Sequence, residues 1–128
     1  MRYDADRGPD ARTWSAEDED ARLLAVEAHH ASLAPRHPPT PQPRLHAALH
    51  VVVENQLAAD EPPEARRALA RLLAGGLGRH DAIHALASAA AGILHATLAG
   101  GRYDRAAYAR ALDALTAESW RRSASNGP

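Results

Sequence analysis

The 128-residue chain has no cysteine and no phenylalanine, aromatic residues make up only 4% of it, and its 15 basic residues are all arginine. Without cysteine there can be no disulfide, thiolate nucleophile, iron–sulfur cluster or Cys-bearing zinc site, so any metal must be held by histidine and carboxylate. The 15 basic residues stand against 16 acidic ones for a net charge of −1, which leaves no electrostatic footprint for nucleic acid. Tyr103, Tyr108 and Trp120 are too scattered for a base-stacking platform. No apolar run approaches the ~18 residues of a membrane span, and the opening MRYDADRGPDAR lacks an apolar signal region. The expectation is a cytoplasmic protein with no membrane partner. The serines lack a nucleophile-elbow context, and no lysine follows Gly75, Gly76 and Gly78, as a phosphate-binding loop would require.

Hydrophobic residues account for 45% of the chain, but alanine supplies much of that share. Ala-rich helices approach closely while each buries little area, so burial at ~25 cal/mol per Å² leaves a narrow margin. A bound metal or a homodimer partner would widen it by binding only the folded state.

The length fits one domain. Residues 1–14 alternate charges around Gly8 and Pro9 and read as a flexible arm, 15–120 as a single helical-bundle domain, and 121–128 as a flexible tail. Ser15 reads as an N-cap ahead of the acidic first turn Glu17, Asp18 and Glu19, opening a helix to about Ala34. The proline-rich stretch from Pro35 to Pro43 forbids helix. Further helices are expected over Arg44 to Ala59, from Pro62 or Pro63 to Gly75-Gly76, from Arg79 or His80 to about Ala99, and from Asp104 to about Trp120. VVV at 51–53 is the one β-branched run and sits among helix formers. The fold class is therefore all-α: a small up-down bundle of four to five helices.

Eight histidines are present, and their spacing carries the chemistry. Residues four apart on a helix differ by ~40° and ~6 Å of rise, so two imidazoles at that spacing can chelate one ion. His46 and His50 form one such pair on the buried face of their helix; His80 and His84 form another. In an up-down-up arrangement the two helices run parallel and both pairs sit at the same end. The preceding helix runs the other way and brings Glu27, His29 and His30 to that level. Glu54 lies eight residues beyond His46, ~12 Å along the helix. It suits either a hydrogen bond to a ligating imidazole or a second ion shared with His50. Histidine and carboxylate without sulfur suit iron, zinc, copper or nickel rather than calcium or magnesium. The alternative is a polar core without metal. His95 reads as surface and His37 as solvated. Asp60-Glu61-Pro62-Pro63 reads as helix capping, and Arg66, Arg67 and Arg71 as an exposed basic face.

The stretch LHAALHVVVENQLAADEPPEAR followed by HDAIHAL resembles the bacterial domain-of-unknown-function family 1841. That pattern is an HxxxH helix with a downstream Glu and Gln, an acidic Pro-Pro turn and a second HxxxH. It falls here on His46, His50, Glu54, Gln56, Asp60, Pro62, Pro63, His80 and His84. HHASL at residues 29–33 is similar to an earlier family histidine, which singles out His30 over His29. Where the pattern has Glu after the second pair, this chain has Ser88 and Gly92, and His95 stands where Trp is common. The resemblance spans roughly Leu45 to Leu115 and implies a shared histidine site without implying a reaction.

Three functions compete. The first is a transition-metal protein with His30, His46, His50, His80 and His84 as ligands and Glu27 and Glu54 as ligands or their supports. Its pattern is similar to hemerythrin-type nonheme iron sites, though it lacks a final Asp, and this favours iron and an O2-linked role. The second is a non-catalytic zinc- or copper-binding bundle. The third is a metal-free interaction module whose histidines make the core pH-sensitive.

Overall fold

The structure, a computed structural model, describes residues 1–33 and 42–126. Among these residues it is all-α, with seven helices and no strand. They are α1 (Ala11–Ala16), α2 (Glu19–Leu33), α3 (Pro43–Ala59), α4 (Pro63–Ala74), α5 (Arg79–Leu98), α6 (Arg105–Ala114) and α7 (Ala117–Asn126). The four to five helices expected from periodicity become seven because short helices flank the bundle at both ends. Residues 35–41 of the proline-rich linker, His37 among them, lie outside the described residues, whereas Pro43, expected in that linker, opens α3 at its first position.

The flexible arm expected over residues 1–14 is instead packed. Tyr3, Ala5 and Trp14 are buried with Ala25 and Val26 of α2 and Ala47 and Val51 of α3. The anchors of this segment are isolated among charged residues, so no helical or strand period announces them. Ser15, expected as an N-cap, lies inside α1. Asp10 caps that helix by accepting from the Thr13 N–H at 3.1 Å, and Asp18 takes the corresponding role for α2, accepting from the Ala21 N–H at 2.8 Å. The buried Trp14 ties the segment to the bundle, its indole N–H donating to Asn55 Oδ1 at 2.8 Å.

At the other end, the single helix expected to Trp120 breaks at Leu115. Thr116 and Ser119 cap each other's backbone: Ser119 N–H donates to Thr116 Oγ1 at 3.0 Å and Thr116 N–H to Ser119 Oγ at 3.1 Å. This reciprocal capping restarts the chain as α7, which runs through Asn126 where a flexible tail was expected. Gly75 allows the close approach there, because a Cβ on it would lie 2.6 Å from the Ala117 Cβ. Arg71, assigned to an exposed face, is half-buried; it donates to the backbone carbonyls of Leu112 and Leu115, each at 2.7 Å, and so holds the α6–α7 corner. Gln56 ties α3 to α6 by accepting from the Tyr108 hydroxyl at 2.7 Å.

Helix α3 packs against α1, α2, α4 and α5. One stripe, Ala47 and Val51, faces the N-terminal cluster, while Val53 and Leu57 face a second cluster with Leu72, Ile83, Leu86 and Leu112. A helix buried on several sides tolerates the β-branched run VVV because packing outweighs propensity. The stripe left between the two clusters is His46, His50 and Glu54. Two apolar clusters thus flank a polar seam, and that seam positions the site.

Candidate metal centre

The C-terminal end of α2 meets the N-terminal halves of α3 and α5 at this seam, the level at which the histidine spacing placed both pairs. One nitrogen each of His30, His46, His50 and His84 lies within 4.8 Å of the other three. Ring centroids are 4.5 Å apart for His30 and His50, 4.9 Å for His46 and His84, and 5.1 Å for His50 and His84. His80 joins at the edge, 4.4 Å from the His84 ring and 5.3 Å from that of His50.

Hydrogen bonds determine which nitrogens offer lone pairs. His30 Nδ1 lies 2.9 Å from the Val26 carbonyl oxygen, which can only accept, so Nδ1 carries the proton and Nε2 a lone pair. That Nε2 is 3.2 Å from His46 Nε2, close to the ~3.3 Å edge of a tetrahedron with metal–nitrogen bonds of 2.0–2.1 Å.

His50 is fully buried. The Tyr3 hydroxyl donates to Glu54 Oε2 at 2.5 Å, and the Tyr3 oxygen itself lies 3.3 Å from His50 Nδ1. A hydroxyl has one proton, and Glu54 takes it. His50 Nδ1 must therefore donate to the tyrosine oxygen, which leaves Nε2 as a lone pair, and Nε2 is buried without a hydrogen-bond partner.

Glu54, 1% exposed, lies behind this layer. Arg79 grips it in a bidentate pair, both N–H···O distances 2.8 Å. The carboxylate reaches His50 only through Tyr3, so neither direct role expected of it is the one observed: its oxygens are engaged by Arg79 and Tyr3 rather than by an imidazole or open to a second ion. Glu27 lies 3.5 Å from the Arg44 guanidinium and is outside the four-nitrogen group. His29 accepts from the Ala5 N–H at 3.3 Å through Nε2, which separates it from its neighbour His30. His95 is exposed on α5.

Tyr3 and Arg79 are the residues that sequence reasoning missed. A carboxylate on the apolar stripe of α3 calls for a buried cation, but nothing in the spacing singled out Arg79 from its companions. Tyr3 stood in a segment without periodicity.

Electrostatics follow burial. Burial lowers the pKa of His50 far below its ordinary 6.5, and the surrounding imidazoles of His30, His84, His46 and His80 add to that shift. Burial raises Tyr3, and the charge and hydrogen bond of Glu54 raise it further. For Arg79 burial acts downward, but the hydrogen bond and charge of Glu54 outweigh it and keep the guanidinium protonated.

The His50 shift has a sign for stability. The unfolded chain takes up a proton at His50 once pH falls below about 6.5, while the folded chain does not. Metal-free protein should therefore be fully stabilised by this group above that pH and lose stability below it, at up to about 1.4 kcal/mol per pH unit. Urea unfolding of chelator-treated protein between pH 8 and pH 5 tests this, and a flat profile would contradict it.

Residues 38–114 match a family described as a domain of unknown function, DUF1841. The chain belongs to this family. The DUF1841 match covers the HxxxH pairs of α3 and α5 but begins after His30, so the α2 contribution and the Tyr3 segment fall outside it. Nothing among the curated proteins or the solved structures matches the chain. Among the described residues no helix is long and apolar enough to cross a membrane.

Proposed function

We propose that this DUF1841 protein is a transition-metal-binding helical bundle holding one divalent first-row ion on the imidazoles of His30, His46, His50 and His84, with His80 beside them. The observation that carries the reading is His50 Nε2, a buried lone pair without a hydrogen-bond partner amid neighbouring imidazoles. An unsatisfied buried polar atom costs about 1–3 kcal/mol, and a metal bond would turn that cost into binding energy.

An all-imidazole set suits zinc, copper, nickel or ferrous iron rather than calcium or magnesium. The preference for iron rested on the hemerythrin-like pattern, whose carboxylate on α3, Glu54, is held bidentately by Arg79. Four neutral nitrogens match zinc first, and four protein ligands make a closed site that stores a metal or supports the fold. Catalytic zinc sites keep a position open instead.

The test is elemental analysis of tag-free protein, as purified and after reconstitution with zinc or cobalt(II). One equivalent per chain and the visible bands of four-coordinate cobalt are expected. Zinc at 100 times its dissociation constant should raise unfolding stability by about 2.7 kcal/mol. Protein that takes up no stoichiometric metal after reconstitution would sink the proposal, and iron in the purified protein would reopen the oxidative reading.

A further inference from the structure

The segment before α1 packs Tyr3 and Ala5 into the apolar N-terminal cluster, and its polar anchors reach toward the candidate metal centre. Besides the bonds of Tyr3 to Glu54 and His50, the Ala5 N–H donates to His29 Nε2 at 3.3 Å, and the Ala5 carbonyl accepts from Arg79 at 2.9 Å. Asp6 Oδ1 accepts from the backbone N–H of His80 at 3.3 Å. These anchors land on Glu54 and His50 of the seam, on His29 and His80 beside it, or on the arginine that clamps Glu54. The segment's own backbone supplies only a turn, with Gly8 N–H donating to the Asp4 carbonyl at 2.9 Å. Gly8 has φ +77°, and a Cβ there would sit 2.6 Å from the guanidinium carbon of Arg79. The turn thus passes directly over the side chain that holds the seam together.

We infer that residues 1–8 form a strap whose docking and metal loading are one coupled event, with Tyr3 the positioning residue that sets His50 for ligation. This rests on the metal-binding reading above and adds to it a device for regulating that site. With the strap docked, the Tyr3 oxygen accepts from His50 Nδ1 and keeps the Nε2 lone pair available. With the strap lifted, His50 loses that partner, its proton can move to Nε2, and ligation must first reverse that tautomer. Hydrogen bonds that fix a ligand's tautomer in this way typically contribute 10–100-fold to metal affinity. Thermodynamic reciprocity then requires the metal to stabilise the docked strap by the same factor by which the strap strengthens the metal.

Three measurements on the full-length chain test the coupling. In metal-free protein the imidazole 15N shifts should report His50 as Nδ1–H, and Tyr3→Phe, which keeps the ring packed on Trp14, should lose that preference while retaining wild-type helicity. Zinc affinity by chelator competition should fall 10–100-fold in Tyr3→Phe and also in Gly8→Ala, where the hydroxyl remains but the turn is strained at positive φ and crowded against the Arg79 guanidinium. Hydrogen exchange of the Ala5 amide in the wild type should slow on zinc addition, and should slow less in Tyr3→Phe. Wild-type protein that binds zinc, with affinity within twofold in Tyr3→Phe and with Ala5 exchange indifferent to zinc, would overturn the strap and leave the metal site standing. Wild-type protein that binds no zinc would overturn both.

Discussion

Replacing His50 by leucine is expected to abolish stoichiometric metal binding while leaving the metal-free protein as stable as the wild type, or more stable by up to about 1–3 kcal/mol. The side chain is fully buried and its Nε2 has no hydrogen-bond partner, so leucine removes an unsatisfied polar atom and fills similar space. Tyr3 is not orphaned by the change, because its hydroxyl proton already goes to Glu54. A histidine retained only for packing would behave in the opposite way: its loss would destabilise the fold and leave metal content untouched. Elemental analysis and urea unfolding of chelator-treated protein separate the two, with the exposed His95→Ala as a control for non-specific binding. Retained metal at one equivalent in His50→Leu would remove this residue from the site.

Chelating pairs are visible in sequence because helical periodicity is a local rule. Four-residue spacing places His46 with His50 and His80 with His84 wherever the helices go. The antiparallel course of a short bundle was enough to bring His30 to the same level. Glu54 obeyed the same periodicity, yet its partners did not. Arg79 comes from another helix and Tyr3 from irregular chain, and the chemistry of a buried carboxylate depends on those long-range neighbours rather than on its distance from His46. The lone pair on His50, which carries the functional argument, is a consequence of Tyr3 and could not be deduced before Tyr3 had a place.

The fold divides along similar lines. Helices α3 and α4 follow from Pro at their N-termini, and the boundary between α4 and α5 from Gly75-Gly76, signals that act within one turn. The packing of the N-terminal segment has no local signal, because Tyr3, Ala5 and Trp14 are buried through tertiary contact alone. The break between α6 and α7 was legible in principle, since Thr116 and Ser119 stand at capping-box spacing. Periodicity hides it, because Leu112 and Leu115 carry an apolar face up to the break.

The largest loss of stability is expected from Arg79→Met. Methionine keeps most of the stem but leaves the Glu54 carboxylate, 1% exposed, without its bidentate partner. Removing one partner of a buried pair costs about 3–5 kcal/mol, a large fraction of the 5–15 kcal/mol that holds a typical domain together. The double variant Arg79→Met/Glu54→Leu should recover most of that loss, because an apolar pair of similar volume carries no stranded charge. Its metal site should not recover with it. Once Glu54 is gone, the Tyr3 hydroxyl is released to donate to His50 Nδ1, which favours the Nε2–H tautomer and withdraws the lone pair from the other imidazoles. Urea unfolding and zinc competition on the wild type, the single variant Arg79→Met, and the double variant therefore read two separate quantities. A single-variant loss below about 1 kcal/mol would place the pair in solvent-screened surroundings. A double variant that binds zinc as tightly as the wild type would mean that the buried pair supports the fold alone and has no part in preparing His50.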